Sequence, residues 1–237
     1  MKKLISILIP LLPYVVIGSI AYIDEIPDYT QKNSQYCAPV AASNGLIWLS
    51  KQKGSKQERL IKKLASRRYM DTSDKDGTGT TGVLNGLGKV AKELFGTYSE
   101  LEYQGWRLHP PQYSKGISKP DINWIKDGVS QSSMVLLNVG WYTHDAKKDV
   151  YERVGGHWVT LVGFEGEMLV IHDPAPRAGK SFQNEEVQIK LIQEGNLEGK
   201  KSGLPTTANG RYILGAGMHL NSRADVAIID GAVRLKL

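Results

Sequence analysis

A single cysteine, Cys37, stands among the 237 residues, so no disulfide within the chain can hold the fold. Whatever forms must rest on a hydrophobic core. The chain begins "MKKLISILIPLLPYVVIGSIAYIDE": two lysines, then a mostly apolar run from Leu4 to Ile20 broken by Pro10 and Pro13, with Ser19 and Ala21 at the −3 and −1 positions of a cleavage site after Ala21. That is the plan of a secretory signal peptide over residues 1–21, with an uncleaved N-terminal anchor as the alternative. The expected location is therefore outside the cytoplasm: periplasmic, extracellular or membrane-tethered. Exported proteins normally pair their cysteines, and a leftover one points to an intermolecular bond or a reactive thiol. A buried thiol serving as a small hydrophobe is the plain alternative.

What remains after residue 21, about 216 residues, is enough for one domain with a substantial core, assigned here to residues 22–237. Of 30 basic residues, 28 remain after Lys2 and Lys3 are removed, against 24 acidic ones. The resulting +4 is scattered, with no basic stripe carrying interleaved aromatics. A solvated surface explains it better than nucleic-acid binding, and no stable membrane partner is expected beyond the N-terminal segment.

The position of Cys37 narrows its role. Residues 38–50 of "QYCAPVAASNGLIWLS" are dense in apolar side chains and predict a largely buried helix, with Pro39 in the first turn, where its missing N–H costs nothing. Cys37 then sits at the helix start, where free N–H groups and the positive end of the dipole favour a thiolate.

A nucleophilic thiol needs a base and a place for an oxyanion. Five histidines are available: His109, His144, His157, His172 and His219. His109 and His144 lie in polar, loop-like stretches. His219 lies near the end of a late strand with nothing further to single it out. His157 opens the strand "GGHWVTLVGF", behind two glycines that permit close approach of a backbone or a substrate. The strand "MLVIHDPAP" returns after a tight turn. A two-residue turn at Glu165-Gly166 makes paired positions sum to 331 and brings Asp173 beside His157, where a carboxylate can hold the imidazole's tautomer and charge. His172 points to the opposite face from Asp173 and is read as structural. For the oxyanion, the Cys37 N–H is one donor. Gln31, six residues upstream, is the side-chain candidate, with Gln35 closer but with less chain to loop back.

"QYCAPVAASNGLIWL", "GGHWVTLVGF", "VIHDPAP" and the Gly-Thr segment "GTGTTGVLNGLGKV" at 77–90 together resemble the papain-like cysteine peptidase clan. Within it they are most similar to free-standing relatives of the bacteriocin-leader (double-glycine) peptidases, over roughly residues 29–176. Two features depart from that pattern: Ala38 follows the cysteine where glycine is frequent, and no transporter segment is present. The resemblance implies a papain-like fold, with Cys37 as nucleophile, His157 as base and later acid, Asp173 orienting it, and Gln31 at the oxyanion. It implies an exported thiol peptidase acting on a peptide or isopeptide bond of a peptide or protein substrate through a thioester. No cofactor or metal is implied. Transpeptidation of the phytochelatin synthase-like type is one alternative, and an inactive peptide-binding pseudoenzyme another. "DTSDKDGTGTTGV" lacks the first acidic ligand and the final glutamate of a calcium loop, and is read as a turn-rich loop.

Helical patterns near 38–52, 56–68 and 80–95 come first, and a capped helix is predicted in "SKPDINWIKDGVSQ". Strand patterns follow in "SMVLLNVGWY", at 184–193, at 210–220 and in "ADVAIID". Helices followed by mainly antiparallel strands predict an α+β fold, with the N-terminal helical part packed on the C-terminal sheet.

Overall fold

A computed structural model describes residues 20–52, 56–176, 184–199 and 205–237. Residues 1–19 of the predicted signal lie outside them. Ile20 and Ala21 begin β1 (Ile20–Tyr22), which pairs with β4 (Val150–Glu165). Cleavage after Ala21 would leave only Tyr22 of that strand. Among the described residues, no helix is long and apolar enough to cross a membrane.

The α+β architecture is as expected. Three helices come early: α1 (Cys37–Leu49), α2 (Gln57–Ala65) and α3 (Thr80–Phe95). β2 (Glu100–Gly105) follows, then α4 (Ile122–Asp127), whose N-cap Asp121 accepts the Asn123 N–H at 2.8 Å. The rest is sheet: β3 (Ser133–Asp145), β4, β5 (Met168–His172), β6 (Glu185–Leu191), β7 (Asn196–Glu198), β8 (Thr206–Thr207), β9 (Tyr212–Leu214) and β10 (Val226–Lys236). The pairing β4–β7 is parallel, whereas the other ladders are antiparallel.

The ladders close on themselves. β3 pairs with β4 and β10, β4 with β5, β5 with β6, β6 with β9, and β9 with β10. Closure explains the apolar patterns, because strand residues alternate between two faces. Val135, Leu137, Val139 and Trp141 of β3 meet Val159 and Leu161 of β4 in one core inside the ring, capped by Ile125 of α4. The alternate residues Met134, Leu136, Trp158 and Val162 face outward into a second core with α1 and α3. Both faces of β3 and β4 are therefore buried, and these strands read as continuous apolar runs.

α1 is buried from Ala38 through Leu49. Its small residues let it lie close on the strands: a side chain at Gly45 would meet Met134 of β3 at 2.6 Å. Two strand expectations change. The strand predicted at 210–220 shrinks to β9, and His219 falls in the loop beyond it. The β4–β5 turn is Gly166-Glu167, not Glu165-Gly166: Glu165 pairs with Met168, and a bulge between Leu161 and Gly163 then shifts the register. Gly166 adopts φ +57°, the left-handed geometry that a two-residue hairpin turn needs and glycine supplies without strain.

Candidate active site

Cys37 is the first residue of α1, half-buried, with no acidic residue in the first turn and no side-chain cap on the helix. The helix start therefore carries no acidic side chain or cap of its own to compete with a thiolate for its free N–H groups. One hydrogen bond holds this helix end to β4. Thr160 Oγ1 donates to the Ala41 carbonyl at 2.8 Å, and both residues are fully buried. Ala41 lies one helical turn beyond Cys37 and Thr160 three residues beyond His157, so the bond fixes the helix end that carries the thiol against the strand that carries the imidazole.

His157 is 7% exposed, at the end of the apolar stretch of β4. Its partner across the ladder is Val139 of β3, not a residue of the returning strand. Asp173 follows the last residue of β5 and meets it by side chain: His157 Nε2 lies 2.6 Å from Asp173 Oδ1. With Nε2 committed to the carboxylate, Nδ1 is the nitrogen left to face the Cys37 sulfur, which is near enough to help raise the ring's pKa. Burial, the largest influence, would lower the His157 pKa. The Asp173 carboxylate, and after it the Cys37 sulfur, outweigh burial and push it up to about 10. Burial also opposes ionisation of Asp173, but His157 and then His219 hold its carboxyl well below the usual range. An imidazolium faces a carboxylate across neutral pH.

Asp173 is well held. Its Oδ1 also accepts the Ala175 N–H at 2.9 Å, and its own N–H donates to Glu185 Oε2 at 3.1 Å. Gln31, 7% exposed, is tied to the same segment by its backbone N–H, which donates to the Pro174 carbonyl at 2.8 Å. Its side-chain Nε2 donates to the Ser34 carbonyl at 2.9 Å, leaving the second amide hydrogen. Gln31, Cys37 and His157 line one cleft of about 930 Å³. The Gly-rich loop before α3 forms the facing wall and is pinned where Trp158 Nε1 donates to the Thr78 carbonyl at 3.2 Å. The structure thus brings together all four residues singled out in the sequence. Gln35 lines the same cleft, with its side-chain oxygen beside Gly77.

No protein-family model matches this chain, and no curated protein does. A solved structure that is similar is described as a "putative C39-like peptidase" from Bacillus anthracis. It is 15% identical, with a TM-score of 0.45, over 72% of this chain and 88% of that one. At that distance the likeness leaves the chemistry to be argued from the residues themselves.

His219 is the group that sequence reasoning passed over. Its Nδ1 lies 2.5 Å from Asp173 Oδ2, a close contact out of line for a hydrogen bond, and both atoms are buried. Its ring stands edge-on to His157 with centroids 5.3 Å apart, and Trp141 stacks on His157 at 5.7 Å. Nothing local marks His219, because its loop reaches the site only once β9 and β10 have joined the ring. By composition, His157, Asp173 and His219 are also a set able to hold a metal ion, with ligand atoms within 4.8 Å of one another. His172 is structural, as expected: it is buried, with Nδ1 3.1 Å from the Pro27 carbonyl and Nε2 2.9 Å from Asn184 Oδ1. His144 ends β3 rather than occupying a loop, and stacks on Tyr151 away from the cleft.

Proposed function

We propose that the protein is a cysteine-type hydrolase, a peptidase that cleaves a peptide or isopeptide bond in an exported setting. One observation carries this reading: the helix-start thiol of Cys37 neighbours the His157 ring, whose far nitrogen is held by Asp173 at 2.6 Å. Nucleophile, base and orienting acid stand in series, an arrangement that a purely structural cysteine does not require.

In the proposed reaction the Cys37 thiolate attacks the carbonyl carbon of the bound substrate. Negative charge gathers on the carbonyl oxygen, and the Cys37 backbone N–H with the second amide hydrogen of Gln31 receives it. The C–N bond breaks as imidazolium His157 gives its proton to the leaving nitrogen. A thioester remains on Cys37. Water then attacks it, His157 takes a proton from that water, the C–S bond breaks, and the acid product leaves. Asp173 holds the ring's orientation and charge throughout. Export is carried by the sequence of residues 1–21 alone.

The test is the rate of iodoacetamide alkylation of Cys37 as a function of pH, in the mature chain and in His157→Ala. Fast alkylation that depends on His157 supports the reading, and peptide and isopeptide panels follow. A thiol indifferent to His157 refutes it.

A further inference from the structure

Asp230 of β10 is fully buried and serves several donors at once. Its Oδ1 accepts Trp106 Nε1 at 2.8 Å and the Tyr142 hydroxyl, and its Oδ2 accepts Arg153 Nε at 2.7 Å. Arg211 is also fully buried. Its Nε donates to the Thr207 carbonyl at 3.0 Å, while Nη1 and Nη2 are buried without a partner among the described residues. The Arg211 guanidinium lies 6.0 Å from the Trp106 ring centre, and that of Arg107, itself engaged with other groups, lies 5.0 Å from the same ring. Arg153 therefore pairs with the Asp230 carboxylate, while the guanidiniums of Arg211 and Arg107 both stand against the indole that donates to it. Buried charge without a counter-charge is costly. Burial, then the nearness of Arg153, lowers the Arg107 pKa, as crowded cations require.

The cluster opens on the cleft. Arg107 and Arg153 both line it, as do Lys75 and Arg223, with Asp76 the one carboxylate among its described lining. Two glycines make the approach: Gly140 of β3 and Gly156 of β4 are direct partners across the ladder. A side chain at Gly140 would meet Asp230 Oδ2 at 2.6 Å, and one at Gly156 would meet Arg153 Nη2 at 2.1 Å. The Arg153 guanidinium thus crosses the strand at the residue before His157. Its Nε is taken by Asp230, and Nη2 lies against Gly156 in the lining of the cleft that Cys37 and His157 share.

We infer that Arg153 and Arg107, backed by the buried charge of Arg211, form a subsite for a substrate carboxylate next to the bond presented to Cys37. The carboxylate is either the α-carboxylate of a C-terminal residue or an acidic side chain near the bond. It completes the charge balance around Asp230 through charge-assisted hydrogen bonds. The inference rests on the hydrolase reading for the bond being cut, but not for binding.

Binding is measured by calorimetry on the Cys37→Ala chain with three peptides of one apolar sequence: free C-terminus, amidated, and amidated with one central glutamate. At least one carboxylate-bearing peptide is expected to bind about tenfold or more tighter than the neutral amide; which one identifies the source. The advantage should collapse in Arg107→Gln and in the double variant Arg153→Gln/Asp230→Asn, which removes both members of the buried pair. Equal binding, no binding, or a preference that survives Arg107→Gln in a chain with unchanged circular dichroism overturns the subsite. A preserved preference alongside a Cys37 indifferent to His157 would overturn the hydrolase reading alone.

Discussion

The Thr160 hydroxyl of β4 reaches across the interface to the Ala41 carbonyl of α1 and ties the strand carrying His157 to the helix that begins at Cys37. Thr160→Val keeps the shape and removes the donor. Unfolding in urea should show a loss of about 1 kcal/mol, the net worth of such a bond. The Cys37 alkylation rate should fall as well, since the helix start is no longer held against the imidazole. An unchanged rate in a destabilised chain would limit the bond to a structural role.

His157 and Asp173 make stability depend on pH in a definite direction. The His157 pKa rises from about 6.5 in an unfolded chain to about 10 in the folded one. Its contribution is full below the unfolded value and disappears as pH rises through the folded value. Asp173 is depressed, so its contribution is full above the usual carboxylate pKa and is lost on acidification through the lower folded value. The stability difference between wild type and His157→Asn should therefore be largest near pH 5–6 and shrink toward pH 10. Urea midpoints at several pH values measure it; a difference that grows with pH would contradict the assignment.

His219 touches the oxygen of Asp173 that His157 does not use. His219→Ala should slow turnover or alkylation by about tenfold or less, since the contact is close but poorly aligned for a full charge-assisted bond. His219→Gln, which restores a donor, should recover part of the loss. Steady-state rates of the two variants on one substrate decide it. Equal rates in wild type and His219→Ala would place this ring outside the reaction.

Gly156→Ala drives a methyl group into Arg153 Nη2, and Gly140→Ala drives one into Asp230. Each should cost about 1–3 kcal/mol, the usual range for forcing extra volume into a filled site. Gly140→Ala should cost more, because the carboxylate is fully buried and pinned by three donors, whereas an arginine tip can swing aside. Thermal denaturation of both variants ranks them.

Local chemistry made several features legible in the sequence. Buried helix α1 with Cys37 at its start follows from an apolar run with proline in the first turn. Strands β3 and β4, the hairpin into β5, and the candidacy of Cys37, His157, Asp173 and Gln31 follow from apolar runs, glycines and chain order. Those signals lie within a few residues of one another, and short-range backbone preferences suffice to read them. The tertiary structure decided the rest. The hairpin turn moved by one residue because Gly166, not Glu165, takes the left-handed conformation at its first position, and a bulge reset the register beyond it. The two glycines before His157 were legible as a close approach, but not what approaches: Trp141 lies against Gly155 and Arg153 against Gly156. His219 and Asp230 joined their clusters only through closure of the strand ring, which brings residues from the end of the chain beside its middle. Such contacts depend on which strands pair across long stretches of sequence, and no local propensity encodes that choice.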